Sequence, residues 1–92
     1  MMWPRRERLE IMAEILEIAS HGGATKTSIV YKANLNFTLV QRYLDHLESK
    51  GVLEQLDGGG VSVYKLTSKG RTVLHSVRST LDMLLDRKTA AS

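Results

Sequence analysis

The stretch TKTSIVYKANLNFTLVQR, residues 25–42, decides the fold. Thr25 or Thr27 can cap a short helix running to about Ala33, with Ile29, Val30 and Ala33 as its inward positions. Asn34 tolerates a left-handed turn. Leu35 is placed to plug the space between two helices, and Asn36 is a good N-cap for the next helix, about residues 37–50. Val40, Tyr43, Leu44 and Leu47 recur at helical spacing and mark the inner face of that helix. A short helix and a longer one joined by so tight a turn read as a helix-turn-helix.

Upstream, Pro4 suits a first helical turn. Leu9, Met12, Leu16 and Ala19 form an apolar stripe that Ile15 and Ile18 widen, and Gly22-Gly23 ends this first helix. Glu7, Glu10, Glu14 and Glu17 make an acidic stripe on another face. Downstream, Gly51 follows Lys50 as a helix cap and the period changes to alternation. Val52 to Leu56 reads as a strand, Asp57-Gly58-Gly59-Gly60 as a turn, and Val61, Val63, Tyr64 and Leu66 mark the returning strand. Thr67 caps a last helix from about Ser68 to Arg87, and Thr89 to Ser92 reads as a frayed end.

The fold class expected is mainly α with a small β-hairpin. It is a winged helix-turn-helix plus a long C-terminal dimerisation helix, in one domain over residues 1–92. The winged helix takes about residues 5–67 and a coiled-coil helix about 68–88. Leu74, Val77, Leu81 and Leu84 are spaced three, four, three, an a/d seam, with Leu85 and Val73 beside it. Such a helix extends about 30 Å, more than so small a domain covers. A second copy of the same helix is the simplest partner, so Leu74, Val77, Leu81, Leu84 and Leu85 are the expected dimer contacts. The alternative is a helix packed entirely on its own domain.

With 92 residues, 42% hydrophobic and 25% charged, the chain has room for one modest core. It has no cysteine, which excludes a disulfide scaffold and a thiolate metal site. His21, His46 and His75 are far apart, no nucleophile motif is present, and the length leaves little room for a deep pocket. No enzyme, metal or cofactor is expected. No apolar run is long enough to span a membrane or resembles a signal peptide, so the expected location is cytoplasmic and nucleoid-associated. The net charge of +3 is unevenly spread: residues 1–20 sum to −1 and residues 21–92 to +4. No acid occurs from residue 18 to residue 44, an interval that holds Lys26, Lys32 and Arg42. That local positive field suits a phosphate backbone.

The segment from Ala24 to Phe37 resembles the helix-two-to-helix-three region of the archaeal ArnR-like winged helix-turn-helix family, which includes small archaeal chromatin-type DNA-binding proteins. Tyr43-Leu44, Lys50-Gly51-Val52-Leu53 and Tyr64-Lys65-Leu66-Thr67-Ser68-Lys69-Gly70 continue the likeness, which covers most of residues 8–85. The resemblance implies a winged helix dimerised through an antiparallel coiled coil of last helices, with DNA as ligand. Two positions depart from the pattern. Ser28 stands where relatives often carry a basic residue, and the wing tip 57–60 has no basic residue.

In this fold the third helix enters the major groove. Thr38, Gln41 and Arg42 are the candidate groove-facing residues, with Asp45 one turn on, and the capping Asn36 is a further candidate DNA contact. Gln41 can bond adenine, and Arg42 guanine or a phosphate. Lys26, Thr27, Ser28 and Lys32 on the second helix are candidate phosphate contacts. Arg5 and Arg6, with Arg8, can form an arm along the backbone, and Lys65 can support the wing. Trp3 can stack on a base or bury itself in a dimer. The plain alternative for each polar residue is a solvated face or a cap. The expected function is a double-stranded DNA-binding homodimer, a transcriptional regulator or a chromatin architectural protein. The competing reading is a winged-helix protein-interaction adaptor, which the acidic first helix and neutral wing favour.

Overall fold

The computed structural model describes residues 7–85. Among them the elements run α1 (Arg8–Ala19), α2 (Lys26–Ala33), α3 (Phe37–Ser49), β1 (Leu53–Asp57), β2 (Ser62–Leu66) and α4 (Ser68–Leu84). This is a winged helix: helices with one antiparallel hairpin and a long last helix. The first helix starts at Arg8, with Glu7 and Glu10 forming its capping box, and the last ends at Leu84, both inside the expected ends near Pro4 and Arg87, positions that lie outside the described residues.

Local chemistry explains the element boundaries. The Thr25 hydroxyl, not that of Thr27, caps α2 by accepting from the Ser28 N–H at 3.1 Å. Asn34 ends α2 in the left-handed region at φ 58°. Its N–H donates to the Tyr31 carbonyl, and that of Leu35 to the Val30 carbonyl at 3.1 Å. Asn36 Oδ1 then accepts from the Leu39 N–H at 2.7 Å to start α3. Two asparagines, one closing and one opening, thus set the angle between the helices. Gly51, at φ 76°, turns the chain from α3 into β1. The strand begins at Leu53, one residue later than expected, and the Thr67 N–H donating to the Val52 carbonyl at 3.2 Å extends the hairpin register by one pair at its base.

In the hairpin Leu53 faces Leu66, Glu54 faces Lys65 and Gln55 faces Tyr64. Ala24 adds a short third rung: its N–H and carbonyl both bond Tyr64, at 2.9 and 2.8 Å. This ties the entrance of α2 to the wing. Gly23 makes room for it, since a Cβ there would strike Val63 and Lys65.

The core gathers Ile11, Ile15, Leu16 and Ala19 of α1, Ile29 of α2, Val40, Leu44 and Leu47 of α3, and Leu53, Tyr64, Leu66 and Leu74. Met12, Ile18, Val30, Leu35 and Tyr43 pack against it partly buried. The expected α1 stripe is rotated: Ile11 is buried and Leu9 is exposed. The sequence places apolar residues on both sides of that helix, and only packing chooses between them. Glu17 Oε1 meets Arg78 at 2.8 Å and its other oxygen meets His21 at 3.3 Å, so one ion pair links α1 to α4.

The last helix differs from the expected free seam. Leu74 and Leu81 are buried within the single chain, Val77 is half-buried, and Leu84 and Leu85 are exposed. Two of the positions assigned to a partner are therefore covered before any partner arrives.

At the start of α4, Gly70 lies where an added Cβ would run into the Val52 carbonyl. Helix propensity alone makes Gly→Ala favourable by about 1 kcal/mol. Packing predicts the reverse. Gly70→Ala is expected to lower stability by about 2 kcal/mol, measured by urea denaturation; an unchanged or raised midpoint would show that the two backbones separate without cost.

Candidate nucleic-acid interface

The basic and hydroxyl side chains of the acid-free interval are carried by α2 and the first turns of α3. On α3, Val40, Leu44 and Leu47 point into the core, so Thr38, Arg42, Asp45 and Ser49 emerge on the opposite side, all exposed. Lys32 and Thr27 of α2 are exposed, while Lys26 and Ser28 are half-buried. Arg42 shares a shallow groove between α1 and α3 with Arg8, Met12, Leu39, Tyr43 and His46. Arg8 thus stands beside Arg42, where its sequence position suggested only an N-terminal arm. Arg5, Arg6 and Trp3 lie outside the described residues.

Several candidates have their polar atoms engaged. The amide oxygen of Asn36 caps α3, which leaves its amide NH2 for a ligand. Gln41 is half-buried, and its Nε2 donates to Asp45 Oδ1 at 2.8 Å. A Gln41 held this way must release Asp45 before it can present both amide groups to an adenine. Lys65 is half-buried on β2 opposite Glu54, away from the hairpin tip. The tip itself has no cation, and the exposed large apolar residues near it are Leu56 and Val61. Gln55 Nε2 donates to Ser62 Oγ at 2.8 Å, and that hydroxyl reaches Asp57 at 3.2 Å, which stiffens the hairpin just below its glycines.

Two exposed aromatics escaped the sequence reading. Tyr31 on α2 is 84% exposed and Phe37, the first residue of α3, is 52% exposed. Tyr31 lies two residues from each of buried Ile29 and Ala33, an outward spacing on α2 that the sequence carried; Phe37 stands three and seven residues before buried Val40 and Leu44, a spacing that reads as inward, so its exposure is visible only in the structure. Among the described residues no cluster of three or more histidine, aspartate or glutamate side chains is arranged to hold a metal ion. No helix among them is long and apolar enough to cross a membrane.

Residues 5–85 match a protein family described as winged helix-turn-helix. An uncharacterized protein of Methanocaldococcus jannaschii is 29% identical over 84 residues, 91% of this chain; the chain spans only 38% of that relative's length. Sso10a-2, a DNA-binding protein from Sulfolobus solfataricus, has a similar structure with a TM-score of 0.80 at 26% identity. The match covers 88% of this chain and 84% of that one. The transcriptional regulator BldR from the same organism shares the fold, with a TM-score of 0.72 at 18% identity, over 87% of this chain and 63% of the other.

The wing and α3 are coupled through Tyr64. Burial, and next the negative charge of Glu48, push its hydroxyl above the ordinary tyrosine value of 10.0; a hydrogen bond with Gln41 acts the other way, and the Asp45 charge adds to the rise. The folded chain therefore holds this proton more tightly than the unfolded chain. The resulting stability is fully present below pH 10 and is lost as pH rises through the folded value. Tyr64→Phe is expected to flatten the alkaline fall in stability, read from urea midpoints on either side of pH 10. An equally steep fall in the variant would assign it to other groups.

Proposed function

The chain belongs to the winged helix-turn-helix family, and from that premise we propose that it binds double-stranded DNA as a homodimer, as a transcriptional regulator or chromatin architectural protein, and performs no catalysis. The observation that carries this reading is the α2–α3 surface. It presents Lys26, Lys32 and Arg42 with no carboxylate from residue 18 to residue 44, on elements that this fold lays against DNA. The likeness to Sso10a-2, described as a DNA-binding protein, supports it. The quoted motifs carry the placement in the archaeal ArnR-like branch, and DNA as the ligand fits a nucleoid-associated, cytoplasmic role.

In the proposed complex α3 enters the major groove with Thr38, Arg42 and, after release from Asp45, Gln41. Lys26, Thr27, Ser28 and Lys32 hold the flanking phosphates, joined by Arg5 and Arg6. Asn36 adds its NH2 and Lys65 steadies the wing. Residues 1–92 act as one domain, with about 5–67 reading DNA and about 68–88 joining the two copies. Exposed Leu84 and Leu85, with half-buried Val77, offer apolar surface to the second copy. An apolar groove between α1 and α4, lined in part by Leu9, Met12, Leu16, Val73 and Val77, continues that surface. Leu74 and Leu81 support the seam from within their own chain.

Anisotropy of a labelled duplex titrated with protein at two salt concentrations tests the DNA reading. Affinity is expected to fall steeply with salt, because each neutralised phosphate releases counterions. Lys26→Ala and Lys32→Ala are each expected to reduce the slope of log affinity against log salt by about 1. No binding at the lower salt would remove DNA as the ligand and favour the adaptor reading.

Dimerisation has its own test. Leu84 is 73% exposed, so Leu84→Glu leaves the domain folded. Sedimentation of wild type as a dimer and of the variant as a monomer is the expected result. A variant that stays dimeric would place the interface elsewhere. Leu81 is unsuited to this test, since a charge there strikes the interior of its own chain.

A further inference from the structure

Phe37 is the only phenylalanine of the chain, and the fold leaves it half in water. A protein with so small a core ordinarily commits its large aromatics to that core. Asn34 in the left-handed region and the Asn36 cap fix where α3 begins. Phe37 stands three and seven residues before buried Val40 and Leu44, at the N-terminal end of the same stripe, and there the ring is left 52% exposed. The result is an aromatic ring carried on the first residue of the helix by a rigid turn. Exposed Thr38 and Arg42 follow it, and the acid-free interval surrounds it in sequence.

We propose that Phe37 reads the C5-methyl of thymine in the major groove and gives this protein a preference for A·T pairs at the position that the tip of α3 meets. The inference rests on the DNA-binding reading and deepens it. The N-terminal residues of a recognition helix are those that approach base edges. Among the four bases only thymine presents an apolar group on its major-groove edge, and phenylalanine is one of the side chains that contacts it. Hydrogen-bonding residues on the same helix are compromised: Asn36 oxygen is spent on the cap and Gln41 is tied to Asp45. An apolar contact needs no donor to be released. Lys26, Lys32 and Arg42 lie in the interval 18–44 that holds no carboxylate, and the nearest acid on α3, Asp45, is engaged by Gln41, which favours a polyanion as the occupant of this face.

Replacing thymine by deoxyuridine removes the methyl and leaves every hydrogen-bonding group of the base pair in place, so the test isolates the contact. A short A·T-rich duplex and its deoxyuridine counterpart are titrated with full-length protein, wild type and Phe37→Ala, in the same salt. Wild type is expected to bind the deoxyuridine duplex roughly fourfold more weakly for each methyl contacted. Phe37→Ala is expected to bind both duplexes with equal affinity while melting at the wild-type temperature. Equal or tighter wild-type binding to the deoxyuridine duplex would overturn the proposal. So would a full thymine preference surviving in Phe37→Ala. Failure of wild type to bind either duplex at low salt would instead remove the DNA-binding reading on which the proposal stands.

Discussion

The contact on which the rest depends is the knot at residues 50–52 and 67–70. Thr67 caps α4 by accepting from the Gly70 N–H at 2.9 Å, and the same hydroxyl donates to the Gly51 carbonyl at 2.6 Å. Its backbone N–H reaches the Val52 carbonyl, and Lys69 Nζ donates to the Lys50 carbonyl at 2.8 Å. The last-turn carbonyls of α3 at His46, Leu47 and Glu48 accept from the N–H groups of Lys50, Val52 and Gly51. Those of Lys50, Gly51 and Val52, just beyond the helix, are satisfied by the start of α4. The end of α3, the entrance of β1, the exit of β2 and the first turn of α4 are thereby fixed to one another, and Gly70 lets them approach closely enough to do so.

From that knot the site acquires its rigidity. α3 is held at its C-terminal end by α4 and at its N-terminal end by the Asn34–Asn36 turn, with its apolar stripe buried between. The wing is anchored at its base by the Leu53–Leu66 pair and by the Ala24 rung on Tyr64. α4 is steered along α1 by Arg78 on Glu17. A rigid helix presented on such a frame loses little conformational freedom on meeting a duplex, which favours recognition over adaptation.

The charge pattern divides the chain. The acidic stripe of α1 and the Asp45–Glu48 stretch of α3 flank in sequence the interval that holds Lys26, Lys32 and Arg42, while Asp45 emerges on the same outward side of α3 as Arg42. The hairpin tip carries glycines and apolar neighbours in place of cations. Backbone neutralisation in the proposed complex therefore falls on α2 and α3, with the wing a minor contributor to phosphate binding.

The sequence by itself determined the elements and their order. Caps, turns and periodicity are local: Thr25, Asn34, Asn36, Gly51 and Thr67 each do in the structure what their chemistry suggested. The acid-free interval was equally legible, since charge is counted along the chain. What only the tertiary structure decided is which of several apolar or polar faces each helix turns inward. Leu9 and Ile11 sit on either side of one helix, and packing buried the second. The spacing of Leu74, Val77, Leu81 and Leu84 describes an apolar seam but not its partner, because a heptad reads the same against its own domain as against another copy. Packing covered Leu74 and Leu81 and left Leu84 outside. Gly70 as a point of contact, Gln41 tied to Asp45, and Phe37 left in water likewise depend on neighbours distant in sequence or on where the helix axis finally lies. No local pattern encodes those.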